Sequence, residues 1–146
     1  MAAKETLRTG KCLCGLVSVS VGLSQNDVGV CYCEKCRKWT GGPFMELECG
    51  QNVSFTGIEN IQKYDSSSWG ERGFCNKCGS HIYIKDKRSG EYGVPASIFD
   101  DDSGLELKRQ VFSDRKPDYY TFTNKTVNIT SAYIHENYPE TKESND

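Results

Sequence analysis

The chain has 146 residues, with 18 lysines and arginines against 20 aspartates and glutamates and a formal net charge of −2. That length suits one domain with a buried core, and no Lys/Arg cluster is dense enough to be the footprint of a nucleic-acid binder, which excludes nucleic acid as a partner. No segment approaches the roughly 18 apolar residues of a membrane span, and the opening residues lack the apolar run of a secretory signal, so a soluble, cytoplasmic protein is expected.

Eight cysteines in such a chain point to metal sites rather than disulfides. For the same reason the sequons at Asn52, Asn124 and Asn128 carry no weight. In chain order, Cys12-Leu13-Cys14-Gly15 is followed by Val17, Val19 and Val21 alternating with Ser18 and Ser20, which predicts a half-buried strand over residues 12–23. Extended chain turns residues i and i+2 to one face, so Cys12 and Cys14 reach one ion without a special turn, as do Cys31 and Cys33. A turn with a polar tip at Asn26 and Asp27 is expected before residue 29.

Cys31-Tyr32-Cys33-Glu34-Lys35-Cys36 gathers three thiols in six residues. Gly41, Gly42 and Pro43 follow closely and limit any helix to one short turn over residues 34–38. Residues 44–49 and 53–55 read as the strands of a hairpin, and residues 58–64 as strand or turn. Cys75-Asn76-Lys77-Cys78-Gly79 is a zinc knuckle: the turn aims two sulfurs at one metal, and the glycine permits the positive φ by which the chain leaves. Residues 81–86 alternate as a strand, and residues 92–99 offer another that Pro95 assigns to a sheet edge. Asp100, Asp101 and Asp102 form a solvated loop, and Val111, Phe112 and residues 119–122 supply aromatic core or pocket material. These signals predict a mainly β fold of short strands, a single domain over residues 1–138, and a mobile polar tail over residues 139–146.

Seven cysteines fall in clusters of two, three and two, and a closed structural zinc needs four ligands. Four plus three is the natural division. Spacing alone leaves the partition open, because the sixteen residues between Cys14 and Cys31 also suit an ordinary four-cysteine site. The thiolates of Cys31, Cys33 and Cys36 would leave one tetrahedral corner for a fourth protein ligand, a water or a substrate. Cys49 or His81 could close that corner and make the triple structural. Otherwise Cys49 reads as a small buried thiol, and His81 as a strand residue or a supporting hydrogen-bond partner.

The order C-x-C-G, then C-x-C-x-x-C with W-T-G-G, then Y-D-S-S, then R-G-F-C-x-x-C-G-S resembles the glutathione-dependent formaldehyde-activating (S-(hydroxymethyl)glutathione synthase-like) zinc domain over about residues 10–120. The resemblance implies several short coiled antiparallel sheets, a fold shared with B-type methionine sulfoxide reductases and exchange-factor chaperones. It implies two zinc ions per chain, a structural one on Cys12, Cys14, Cys75 and Cys78 and an active-site one on Cys31, Cys33 and Cys36. The activity it implies is a zinc-dependent carbon-sulfur lyase or synthase that condenses glutathione with formaldehyde.

Arg37, Lys38 and Trp39 lie directly after the triple, where a cation could bind the carboxylates of glutathione, and Arg72 is a further candidate. The alternatives are a small-molecule carrier and a non-catalytic zinc-binding β module for a protein partner. A methionine sulfoxide reductase would need a redox-active cysteine outside both zinc sites, where only Cys49 is available and has no resolving partner.

Overall fold

A computed structural model describes residues 5–23 and 25–141. The elements run β1 (Thr6–Lys11), β2 (Ser18–Leu23), β3 (Asp27–Cys31), α1 (Glu34–Thr40), β4 (Phe44–Gly50) and β5 (Val53–Thr56). They continue with β6 (Ile61–Asp65), β7 (Gly70–Cys75), β8 (His81–Asp86), β9 (Tyr92–Pro95), β10 (Glu106–Val111), β11 (Val127–Ile129) and α2 (Ser131–Asn137). The fold is mainly β, as the alternating patterns predict. No helix among the described residues is long and apolar enough to cross a membrane.

The chain forms two compact units, one from the described residues up to Asn26 with Leu47–Leu105, the other from Asp27–Glu46 with those from Glu106 onward. In the first, β2 pairs antiparallel with β1 and with β5. Val19, Val21 and Leu23 are buried while Ser18 and Ser20 are only partly so, because successive side chains of a strand face opposite ways. Each such burial stabilises by roughly 1.5–3 kcal/mol. Strands β6, β7, β8 and β9 pair antiparallel in succession. Beneath them Val17, Ile82 and Tyr83 are buried together with Cys12 and Cys75, and the rings of Phe55, Tyr83 and Tyr92 meet at 5.1–5.4 Å.

Residues 44–49 and 53–55 are strands but not partners, since β5 pairs with β2 through Val19↔Phe55 and Val21↔Val53. Alternation marks a strand's buried face without naming its neighbour. Pro95 does not mark an edge: β9 lies between β8 and β4, and the proline is its last residue, where a missing N–H costs the ladder little. The ambiguous stretch after residue 57 holds both forms, a 3-10 turn over Ile58–Asn60 and then β6.

Arg8, buried on β1, donates from Nη1 to the carbonyl of Asp101 at 2.6 Å and from Nη2 to the carbonyl of Ser103 at 2.8 Å. The loop of exposed aspartates is thereby held by its backbone.

In the second unit β10 lies between β3 and β11 and runs parallel to both. The long stretch of chain between β3 and β10 supplies the crossover that parallel strands require. Past β10, Phe112 takes φ 55°, the left-handed region, and the Asp114 carboxylate accepts hydrogen bonds from the Ser131 backbone at 2.6 Å and from its hydroxyl. With Thr130 Oγ1 accepting from Tyr133 N, these contacts fix the start of α2. The expected tail begins as a 3-10 turn over Pro139–Thr141, and the rest of it lies outside the described residues.

Candidate metal centres

The first unit brings Cys12, Cys14, Cys75 and Cys78 together, with all four Sγ atoms within 4.8 Å of one another. Cys12 and Cys14 do not lie in a strand, as the alternation predicts, but in a tight turn after β1, where Gly15 N donates to the Cys12 carbonyl at 3.0 Å. The valine alternation begins only past this turn. Cys75 ends β7, and the knuckle closes by Gly79 N donating to the Cys75 carbonyl at 2.8 Å, with Gly79 at φ 78°.

The spacing tests whether a metal fits. Sulfur–sulfur distances are 3.6 Å for Cys12–Cys14 and 3.7 Å for Cys14–Cys75. Four sulfurs about 2.3 Å from a central zinc stand about 3.8 Å apart along the edges of their tetrahedron, whereas a disulfide brings two sulfurs to about 2.0 Å. The donor set fits a closed tetrahedral ion, and all eight cysteines are free thiols.

Hydrogen bonds already point at these sulfurs. Val17 N donates to Cys12 Sγ and Lys77 N to Cys75 Sγ, each at 3.4 Å. Ser80 joins the two turns: its hydroxyl accepts from Leu13 N at 3.1 Å and lies 3.2 Å from Cys78 Sγ. The side-chain and backbone hydrogen bonds of Ser80 bring the Cys78 thiol down to about 5, despite some burial.

The second unit gathers Cys31, Cys33 and Cys36, again within 4.8 Å. Cys31 ends β3 and Cys33 caps α1, its sulfur accepting from Cys36 N at 3.4 Å. An extended step of two residues and a helical step of three thus turn the sulfurs toward one point. The helix is longer than expected, running to Thr40, because the glycine that ends it is Gly41 in the left-handed region rather than a breaker acting earlier. Cys33 and Cys36 are buried and Cys31 is half-buried. Hydrogen bonds from Cys31 to Cys33 and Cys36, with burial, push its thiol well up. Three thiols so placed resist ionising together, and a divalent cation would remove that resistance. Among the described residues no fourth Cys, His, Asp or Glu atom joins this group within 4.8 Å.

The candidates to close the triple sit elsewhere. Cys49 is buried, and its Sγ donates to the Leu47 carbonyl at 3.3 Å. His81 Nε2 lies 3.0 Å from the Tyr83 carbonyl, and burial, with the Arg72 cation nearby, lowers the imidazole to about 4. Arg72 is only 2% exposed on β7 and donates from Nε to Ser66 Oγ at 3.0 Å.

Of the candidate substrate contacts, Arg37 donates from Nε to the Tyr32 carbonyl at 2.8 Å, and Lys38 pairs with Glu34 at 2.9 Å while 77% exposed. Trp39 is half-buried on the same helix. Tyr32, between two of the thiols, is fully buried. Its N–H donates to the Val111 carbonyl at 3.0 Å and its hydroxyl to Gln110 Oε1. Burial pushes the phenol up to about 12, so it stays a neutral donor. The sequence patterns predict no role for Ser80, Tyr32 or Gln110. Only Ser80 carried a signal, as part of the C-G-S run.

The sequence model described as "Glutathione-dependent formaldehyde-activating enzyme" matches residues 7–115. A Schizosaccharomyces pombe protein described as an uncharacterized lyase is 37% identical over 122 residues, covering 83% of this chain and 89% of that protein. A Halomonas elongata protein, provisionally named a glutathione-dependent formaldehyde-activating enzyme, is 31% identical over 124 residues, covering 77% of this chain and 79% of that one. The crystal structure of a Rhodobacter sphaeroides protein aligns with a TM-score of 0.56 at 26% identity, covering 67% of this chain and 90% of its own.

Proposed function

The chain belongs to the glutathione-dependent formaldehyde-activating enzyme family, and from that premise we propose that it is a carbon-sulfur lyase joining glutathione to formaldehyde at the Cys31/Cys33/Cys36 centre. In this reaction the glutathione sulfur forms a bond to the aldehyde carbon, the C=O π pair moves to oxygen, and the thiol proton ends on that oxygen, giving S-hydroxymethylglutathione. The lyase direction is the reverse. The observation that carries this reading is the contrast in donor number: four thiols converge in the first unit and three in the second.

Zinc is the ion both donor sets suit, and on three thiolates it would offer its remaining position to an incoming sulfur as thiolate. Full ionisation is a modest lever. A thiol of pKa about 8.5 is roughly 3% ionised at pH 7, so the gain is at most about 30-fold, or about 2 kcal/mol. Holding sulfur and aldehyde together is worth more, ~7–11 kcal/mol for well-oriented pairs. That work falls to residues of this chain. We assign Arg37, whose Nε donates to the Tyr32 carbonyl, to attract a glutathione carboxylate; Lys38 is freer, since its exposed pair with Glu34 is weak. Trp39 offers an apolar surface next to them.

The deciding measurement compares the rate of S-hydroxymethylglutathione formation with buffer alone, wild type and Cys33→Ala. Acceleration by the wild type, lost in the variant, supports a catalyst. Binding of the adduct with no acceleration would make the protein a carrier.

A further inference from the structure

We propose that Tyr32 is the positioning residue of the three-thiol centre, held in place by a hydrogen-bonded chain that runs through Gln110 to Thr126 and Asn128. The inference rests on the reading of that centre as a metal and reaction site.

Tyr32 stands between Cys31 and Cys33, so any rotation of its backbone swings both sulfurs. Its polar groups are tied to two elements of the unit, two of them to adjacent residues of β10 and one to α1. The N–H donates to the carbonyl of Val111 on β10, the carbonyl accepts from Arg37 Nε on α1, and the hydroxyl donates to Gln110 Oε1. Main chain and side chain are thus both anchored to β10, and the carbonyl to α1, which restrains rotation of this residue.

The support continues outward. Gln110 Nε2 donates to Thr126 Oγ1 at 2.8 Å, and Thr126 Oγ1 donates to Asn128 Oδ1 at 2.7 Å. A primary amide accepts at one end and donates at the other, so engaging both ends fixes which way Gln110 points. Its oxygen faces Tyr32 because its nitrogen faces Thr126. Thr126 and Asn128 lie beyond residue 115, where the family match ends, so the outer half of this support comes from a part of the chain outside the shared segment. The effect on sulfur placement is the kind that hydrogen-bonded partners of metal ligands exert, where loss typically costs 10- to 100-fold in metal affinity or activity.

The test uses zinc-loaded protein challenged with excess chromophoric chelator, so that each equivalent of metal is followed by its rate of release. The four-thiol centre, in the other unit, is the internal reference. In Tyr32→Phe and Gln110→Leu, the equivalent at the three-thiol centre is expected to leave about 10- to 100-fold faster, with the other unchanged. Gln110→Glu retains an acceptor for the Tyr32 hydroxyl and is expected to restore most of the loss. Release at the wild-type rate from Tyr32→Phe would overturn the proposal, as would equal acceleration of both equivalents, which marks general loosening. Should Tyr32→Phe fail to fold, Gln110→Leu gives the same readout from a half-buried position. Wild-type protein that holds one zinc would instead refute the metal reading of the triple, a result distinct from two zincs with variants that match wild type.

Discussion

The two thiol clusters differ most in how far along the chain their members are drawn. Cys14 meets Cys75 across 61 positions, whereas Cys31, Cys33 and Cys36 share the end of one strand and the start of one helix. A link between distant segments removes freedom from the unfolded chain and so favours the fold, and the gain grows with the loop closed. A link among neighbours removes little, since β3 and α1 already set those residues. On the proposed assignment the first cluster is architecture, and the second can be given over to chemistry at little cost to stability.

That contrast breaks if the first cluster can be dismantled cheaply. A structural zinc contributes an apparent ~10–16 kcal/mol against a net stability of ~5–15 kcal/mol for a domain. Cys75→Ala, or exhaustive chelation, is therefore expected to abolish cooperative unfolding in calorimetry. Cys36→Ala should keep a cooperative transition and lose one metal equivalent by mass spectrometry. A near wild-type transition in Cys75→Ala would put the clusters on an equal footing.

His81, in the same unit as the four thiols, sharpens the comparison by pH. Its imidazole is held at about 4 in the fold against an ordinary 6.5. Between those values the unfolded chain binds a proton that the folded one does not, so stability is full above pH 6.5 and falls as pH drops toward 4, by roughly 3 kcal/mol. Urea titrations across that window should give a shallower decline in His81→Gln than in wild type. Parallel curves would remove His81 as the cause.

Smaller effects separate the clusters' supports. Ser80→Ala strips one oxygen from both cysteine turns and is expected to cost about 1–2 kcal/mol by urea unfolding, without changing the catalytic rate. Lys38→Ala, at an exposed ion pair, should change stability by less than about 0.5 kcal/mol. If Lys38 binds glutathione, the same variant raises KM; an unchanged KM returns it to the surface.

What could be read in advance tracks the range of the interactions. The valines of β2, the knuckle at Cys75 to Gly79 and the strand after it are local patterns, and each stands where the residues predict it. The turn at Cys12 was hidden because a C-x-C pair suits extended chain as well as a bend, and only the Gly15 hydrogen bond decides between them. Which strand β5 joins, and the parallel run of β10 beside β3, depend on contacts between remote segments that leave no periodic trace. Ligand counting favours four plus three, but which clusters share an ion is open on spacing and follows only from the resemblance. Tyr32 and Gln110 are 78 positions apart, and nothing near either residue announces the other.

Arg8 holds the loop after β9 by the carbonyl oxygens of Asp101 and Ser103. Every amino acid brings such an oxygen, so the grip is indifferent to what side chains the loop displays. The exception is Asp101, whose carboxylate accepts from Ser103 N at 3.0 Å and so shapes the turn whose peptide groups the arginine clasps.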